Sequence, residues 1–307
     1  MREKVEPIDE RVIDLAEPNT LSEVFPKEEW GRVVSLKITG PLGKWDFNDV
    51  LDEICTVEDR IYLDPKDEYG DFVPDYTNAA KIRHLDLGDA TFVEGEELPY
   101  FGDMAPLNSF VMPKGIVSTF EGFEGSTGLS LSTNLRKITL PDGVKKVGGF
   151  SFCTNLTDVV LPDSVEELCF MAFYGCAAMR TALIPASVQK ISGNCYGRTG
   201  VRAFEVDRHN ECFISVDGVI YSKDLETLVA FPAAWPEKKY VVKSGTRVIG
   251  AGAFCGCSIE SVELPDSVIG IGSYAFEDSC LKTMDIPNSV KSIGSLAFRD
   301  CVGLEHL

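Results

Sequence analysis

Histidine is scarce in this chain, with three in 307 residues, at His84, His209 and His306. That leaves little material for imidazole acid–base chemistry or for zinc sites, which show paired Cys or His spacings. Positive charge is also short. Lys and Arg number 29 against 48 Asp and Glu, for a formal net charge of −19. The deficit opposes nucleic-acid binding, because phosphate contacts need Lys and Arg, and it disfavours docking to anionic membranes. The excess of one sign reads first as a solubility device. Long apolar runs are missing too, so no transmembrane segment is expected. The chain opens on the charged Met1-Arg-Glu-Lys with no apolar stretch of signal length, which taken literally reads as cytoplasmic.

Several chemical motifs are missing or incomplete. There is no nucleophile elbow of the G-x-S-x-G form, so a hydrolytic triad has no obvious nucleophile. Gly250, Gly252 and Gly256 approach a phosphate loop, but the third glycine falls one residue late for G-x-G-x-x-G. The acidic run from Asp64 to Asp75 lacks the D-x-D-x-D-G register of a calcium loop. Cys255-Gly-Cys257 is C-x-C and not a paired zinc motif. No cofactor or metal is expected.

What is present is a repeat. Phe152, Phe173, Phe254, Phe276 and Phe298 each lie eleven residues after Pro141, Pro162, Lys243, Pro265 and Pro287. A period of 21 to 23 residues denotes a solenoid. Each unit carries two apolar residues two apart just before the proline, as in Ile138 and Leu140, or Val159 and Leu161. That spacing places both on one face of a strand. Proline ends the strand because it cannot donate to a ladder. Apolar residues follow three and six positions later, then Gly, then Ala-Phe, which fills the wall opposite the strand. One such turn cannot bury its own apolar face, but a stack can, with strands of neighbouring turns pairing in parallel about 4.8 Å apart.

The L-x-x-I-x-L-P-x-S-V-x-x-I-G-x-x-A-F-x-x-C units over roughly residues 107–307 resemble leucine-rich repeats, specifically the BspA-like class of bacterial surface proteins. The Asn or Cys that usually follows the strand is missing here, with Ser164, Ser187, Ser267 and Ser289 nearby instead. The resemblance implies a parallel β-sheet on a concave face and a mostly irregular or short-helical convex side. It also implies export to the cell surface or medium, and attachment to host extracellular proteins or other cells. Residues 1–106 read as a partly helical N-terminal cap with degenerate repeats. Within it, Asp46 is placed to cap a helix whose Phe47, Val50, Leu51 and Ile54 share one face.

Between Pro185 and Lys243 the repeat jumps 58 residues, one unit plus about 35. Asp217-Gly218 is a hairpin turn signal between strand-like Phe213–Val216 and Val219–Tyr221. A β-hairpin insertion over about 207–241, projecting from the solenoid with Trp235 near its base, is expected. The resembled class often carries an N-x-x-F-x-S-x-D-G-V-x-Y insertion, and Asn210 to Tyr221 matches it.

Of ten cysteines, Cys176, Cys257, Cys280 and Cys301 fall at the repeat's own position, three or four residues after Phe, and read as small buried hydrophobes. A bridge between Cys280 and Cys301 would need their Cα atoms within about 7 Å. The other six show no regular pairing, and no disulfide framework is expected.

Function points first to binding. The outward strand positions offer Lys137, Thr139, Asp158, Val160, Thr181, Leu183, Ala203, Glu205, Ser261, Glu263, Thr283 and Asp285. Val160 and Leu183 are apolar where polar residues are expected, and Trp235 and Tyr240 form a second candidate patch. The expected ligand is a protein or glycan. An enzyme would have to use His84 and Asp86, two apart on one strand face, or the 64–75 loop. A structural or self-associating repeat segment is the third reading.

Overall fold

The computed structural model describes residues 8–51, 54, 82–95, 107–119 and 129–306. The chain winds as a solenoid of parallel strands. Ile8–Asp14, Val33–Leu42, His84–Asp86, Ser109–Val111, Lys137–Thr139 and Asp158–Val160 pair in that order, all parallel. The same face continues as Thr181–Ile184 paired with Ala203–Val206. It then resumes as Lys239–Val241 paired with Ser261–Glu263, and through bridges to Thr283 and His306. Alternation decides which side chains enter the core: Leu36, Leu85, Phe110, Ile138, Phe204, Val262 and Met284 point inward and are buried.

The far side of each turn is irregular except for a second ladder of short strands. Lys146–Val147, Glu167–Leu168 and Lys190–Ile191 form one row. Thr227–Ala230, Val248–Ile249, Gly270–Ile271 and Ser292–Ile293 form another. The glycine that follows this short strand is required by close approach, not by backbone sign. A Cβ on Gly272 would lie 2.6 Å from the Ala251 nitrogen, and one on Gly294 would lie 2.3 Å from the Ser273 nitrogen.

The aromatic wall is a column of rings. Phe150 stacks on Phe173 at 5.6 Å and Phe173 on Tyr196 at 5.4 Å. Further along, Phe254 stacks on Phe276 at 4.9 Å and Phe276 on Phe298 at 5.3 Å. A backbone ladder accompanies the rings. The N–H of Phe150 donates to the Ala172 carbonyl, that of Phe173 to Cys195, that of Phe254 to Ala275 and that of Phe276 to Ala297. These four phenylalanines are thereby tied to the turn that follows.

This register corrects the repeat count at one place. Phe150, not Phe152, holds the first position of the column. Two residues after each ring the backbone enters the left-handed region, at Gly175, Arg198, Gly256, Asp278 and Asp300, and Phe152 is the member of that set in its turn, with φ 59°. Its ring lies outside the column, edge-on to Tyr174 at 5.3 Å. The unit after Pro141 is two residues shorter between proline and ring than the others, so counting eleven from Pro141 overshoots the core.

At the N-terminal end, two short helices, Leu21–Val24 and Lys27–Trp30, and a π-helical segment, Asp46–Leu51, cover the first turns. Leu21, Phe25, Phe47, Val50, Leu51 and Ile54 are buried. Asp46 is buried and ties the start of its own helix to distant backbone. Its carboxylate accepts from the N–H groups of Asn19, Leu21 and Gly43 at 2.7 to 2.9 Å. The strand Ile8–Asp14 precedes the first one read from the sequence, Val33 to Ile38, and pairs with it.

The hairpin at Asp217-Gly218 is present, with φ of 52° and 84° as a primed turn requires. It does not project. Its second strand, Val219–Ser222, pairs antiparallel with Thr227–Ala230, which joins the far-side ladder at Val248–Ile249. Val219, Ile220 and Tyr221 are fully buried, which accounts for the lack of polar alternation in that strand. Asn210 anchors the entry. Its side-chain amide donates to the Pro185 and Val188 carbonyls, and its oxygen accepts from the Cys212 and Phe213 N–H groups.

Two substitutions separate the registers. Phe150→Ala is expected to cost about 3–5 kcal/mol, as for other fully buried rings. Phe152→Gly should change stability by less than about 1 kcal/mol, because relief of the left-handed backbone offsets the lost ring contact. Urea melts of the two variants check both values. Equal losses would return Phe152 to the core.

Candidate binding surface

The exposed columns of the concave sheet follow from strand alternation. Ladder register sets Lys137 beside Asp158 and Thr139 beside Val160. It likewise sets Thr181 beside Ala203 and Leu183 beside Glu205. Lys137, Thr139, Thr181, Leu183, Glu205, Glu263 and Asp285 are all exposed. Val160 is 78% exposed and Leu183 57%. Both stand two residues before the proline of consecutive turns, so the same column carries both. Isolated exposed apolar residues are ordinary, whereas neighbours at one repeat position form a patch. Val241 occupies the same position one turn past the insertion, two residues before Lys243, and is 63% exposed. Its strand, Lys239–Val241, was hidden by the irregular stretch before it, although its distance from Lys243 was available as a signal.

Trp235 and Tyr240 lie elsewhere. Trp235 packs on Phe231 at 5.2 Å and on Tyr240 at 5.7 Å, and Phe231 stacks on Phe254 at 4.6 Å. The Tyr240 hydroxyl hydrogen-bonds that of Tyr221 at 2.8 Å. Burial, and then that bond, push the Tyr240 phenol well above its ordinary pKa. The pair therefore extends the aromatic wall through the insertion and does not share the concave columns.

His84 is exposed, with Nδ1 2.8 Å from the Ser109 hydroxyl on the next strand. Asp86 shares its face but serves different partners. It accepts the Gly88 N–H at 2.9 Å and lies 3.7 Å from the Lys37 ammonium. The 64–75 loop falls outside the described residues. Among the described residues no group of three or more His, Cys, Asp and Glu is placed to hold a metal ion. No helix among them is long and apolar enough to cross a membrane.

The thiols also follow the corrected register. Three residues after each ring of the column come Cys153, Cys176, Thr199, Cys257, Ser279 and Cys301. Cys153 donates to the Leu129 carbonyl, Cys176 to Phe150 and Cys301 to Phe276, at 2.9 to 3.1 Å. Thr199 instead donates to the Tyr196 carbonyl of its own turn at 2.8 Å, and the Ser279 hydroxyl lies 3.4 Å from the Cys301 sulfur. Cys280, placed in this set by sequence, is one residue beyond it and exposed, with buried Ser279 in its stead, while Cys153 joins the set. All the cysteines among the described residues are free thiols. Burial pushes Cys153 and Cys257 up to about 12 and Cys169 to about 11.

These features define a class, a leucine-rich-repeat solenoid with a parallel sheet on its concave face. The family model described as a BspA type leucine rich repeat region matches in 6 copies, over residues 125–215 and 230–307. The chain belongs to that family. The gap in the match, residues 216–229, takes in the Asp217-Gly218 turn, the strand Val219–Ser222 and most of Thr227–Ala230. A leucine-rich repeat protein from Eubacterium ventriosum has a similar structure, with a TM-score of 0.61 and 21% identity over 75% of this chain and 60% of that one. The pneumococcal vaccine antigen PcpA gives 0.51 and 24% over 72% and 63%. A leucine rich cell surface protein from Faecalibacterium prausnitzii gives 0.60 and 19% over 98% and 76%. The chain thus spans about three-fifths of the first two relatives. No curated protein sequence matches significantly. Leucine-rich-repeat proteins are in general protein-binding scaffolds.

Thiol accessibility offers a direct check. Under native conditions iodoacetamide should label Cys280 first, and leave Cys153, Cys176, Cys195 and Cys257 unmodified until denaturant is added, as read by peptide mass spectrometry. The same burial makes stability pH-dependent. The folded thiols titrate above the unfolded ones, so their contribution is complete below the unfolded value and is lost as pH rises from about 9 toward 12. Denaturant midpoints should accordingly fall above about pH 9.

Proposed function

We propose that this protein is a non-enzymatic binding module whose concave sheet holds a protein or glycan ligand. In this reading it acts outside the cell or at its surface, attaching to host extracellular proteins or to other cells. The observation that carries the reading is the exposed pair Val160 and Leu183, at one repeat position on successive turns, a position that is polar at Thr139, Glu205, Glu263 and Asp285 and apolar again at Val241. A rigid sheet presents such a pair at no ordering cost on binding, and polar neighbours such as Thr139, Thr181 and Glu205 supply a rim. Surface location draws support from the family and from the Faecalibacterium neighbour, which is named a cell surface protein.

A screen against immobilised extracellular-matrix proteins and glycans tests the proposal. At least one partner should be retained, and Val160→Asp or Leu183→Asp should weaken it about tenfold or more, the loss expected of a central apolar contact. Absence of any partner, or binding indifferent to both changes, would overturn the reading.

A further inference from the structure

An open groove of about 840 Å³ runs along the proline-side rim of the sheet. Asp163, Ser187, Gln189, Asp207, His209 and Glu211 are among the residues that line it. Its lining residues follow the outward strand positions closely in the chain. Asp163 lies three residues beyond Val160, Ser187 four beyond Leu183, and Asp207 two beyond Glu205. The groove is a place where the repeat departs from its own pattern. In the other turns the serine two residues after the proline position donates to the carbonyl of the previous turn. Ser164 reaches Val144, Ser267 reaches Thr246 and Ser289 reaches Val268, each at 2.8 Å. The Ser187 hydroxyl is buried yet has no partner.

Charge in the groove has one dominant sign. Asp163, Asp207 and Glu211 face it, and Glu205 stands at its junction with the sheet. Asp207 accepts the His209 N–H at 2.8 Å, which with the nearby imidazole holds its carboxyl below the usual range. Lys190, the nearest lysine in sequence to Gln189, is committed to Glu167 at 2.6 Å on the far-side ladder.

We infer that the occupant of this surface is a basic polypeptide segment. Its Lys or Arg side chains lie in the groove against Asp163, Asp207 and Glu211, and an adjacent apolar side chain rests on Val160 and Leu183. The inference rests on the binding reading above and names the chemistry of the partner. Complementary charge supplies register and on-rate, and the apolar pair supplies the dry contact.

The test uses fluorescence anisotropy with an alternating lysine–leucine peptide, its glutamate–leucine counterpart and polylysine. The lysine–leucine peptide should bind the full chain at least about tenfold more tightly than either of the others. Asp163→Lys, an exposed change, and the pair Asp207→Asn with Glu211→Gln should each reduce that affinity several-fold and flatten its salt dependence. Glu305→Lys matches Asp163→Lys in charge change but lies in the last turn, and should leave binding unaltered. Polylysine binding as well as the mixed peptide would overturn the inference, as would equal losses from Glu305→Lys and Asp163→Lys. If Val160→Asp and Leu183→Asp abolish capture of a matrix protein while the groove variants leave it intact, the groove assignment falls and the binding reading stands. If neither set affects capture, both fall.

Discussion

The hydrogen bond from a column phenylalanine to the carbonyl of the following turn is the constraint on which the rest of this structure depends. A turn of about 22 residues has no second layer to close its core, so its apolar face is covered only by the next turn. The Phe150-to-Ala172, Phe173-to-Cys195, Phe254-to-Ala275 and Phe276-to-Ala297 bonds fix how far one turn rotates and slides over another. Ring stacking at 4.9 to 5.6 Å follows from that spacing. So do the left-handed residues two after each ring and two before every ring but Phe150, where Gly149 takes that conformation one residue before, since the chain must bend sharply on both sides to bring the N–H to its acceptor. Three residues after the ring a side-chain donor reaches the opposite way, from Cys153, Cys176 and Cys301 to a carbonyl of the previous turn.

An insertion can enter such a stack only by meeting the same constraint. Phe204 packs on Tyr196 at 5.0 Å and closes one run of the column, and Phe231 stacks under Phe254 at 4.6 Å and begins the next. Between them the antiparallel strands continue the far-side ladder. Polar ties then skip over the inserted residues. The Asn194 amide donates to Glu277 at 3.0 Å, and Arg198 pairs with Asp278. The turns around residues 194–198 and 252–256 are consequently direct neighbours, close enough that a Cβ on Gly252 would meet the Asn194 side chain. A free hairpin would have left two open solenoid ends, each with an exposed ring.

The fold was legible where the physics is local and periodic. Inward and outward strand positions follow from alternation alone, and Ile138, Val262 and Met284 are buried as that requires. The aromatic register was harder, because a count from proline tolerates no change of loop length and the first full turn is two residues short there. Phe152 sits at the expected count, but the place in the ring column belongs to Phe150. Cys280 and Ser279 differ for the same reason: a one-residue offset exchanges a buried donor for a solvent-facing thiol. Strand Ile8–Asp14 and the placement of Thr227–Ala230 depend on which distant edges lack partners. Asp46 reads as a local helix cap, and it does hold the Gly43 N–H at the helix start, but two further partners, Asn19 and Leu21, come from a distant segment. On the candidate surface, Val160 and Leu183 could be read from periodicity. The groove could not, since it forms only when turns separated by the repeat are stacked.

The division of labour within a turn explains why a binding face can be built at little cost to the scaffold. Stacking uses inward side chains, backbone groups and the donor after the ring, and leaves the two outward strand positions outside every one of those contacts. Replacing a polar residue there with valine or leucine leaves the backbone ladder and the inward packing of the stack in place. Exposure of an apolar side chain leaves about 1.5–3 kcal/mol of burial energy unrealised, a quantity a partner can recover. In Ser187 the scaffold departs from its own bonding rule beside that apolar pair, and the hydroxyl that other turns use internally is left unused at the wall of an acidic groove. Departure from the stacking rule and departure from the polar column thus fall on adjoining surface, in the turns just before the insertion, where the regular ladder between Asp158–Val160 and Thr181–Ile184 also breaks.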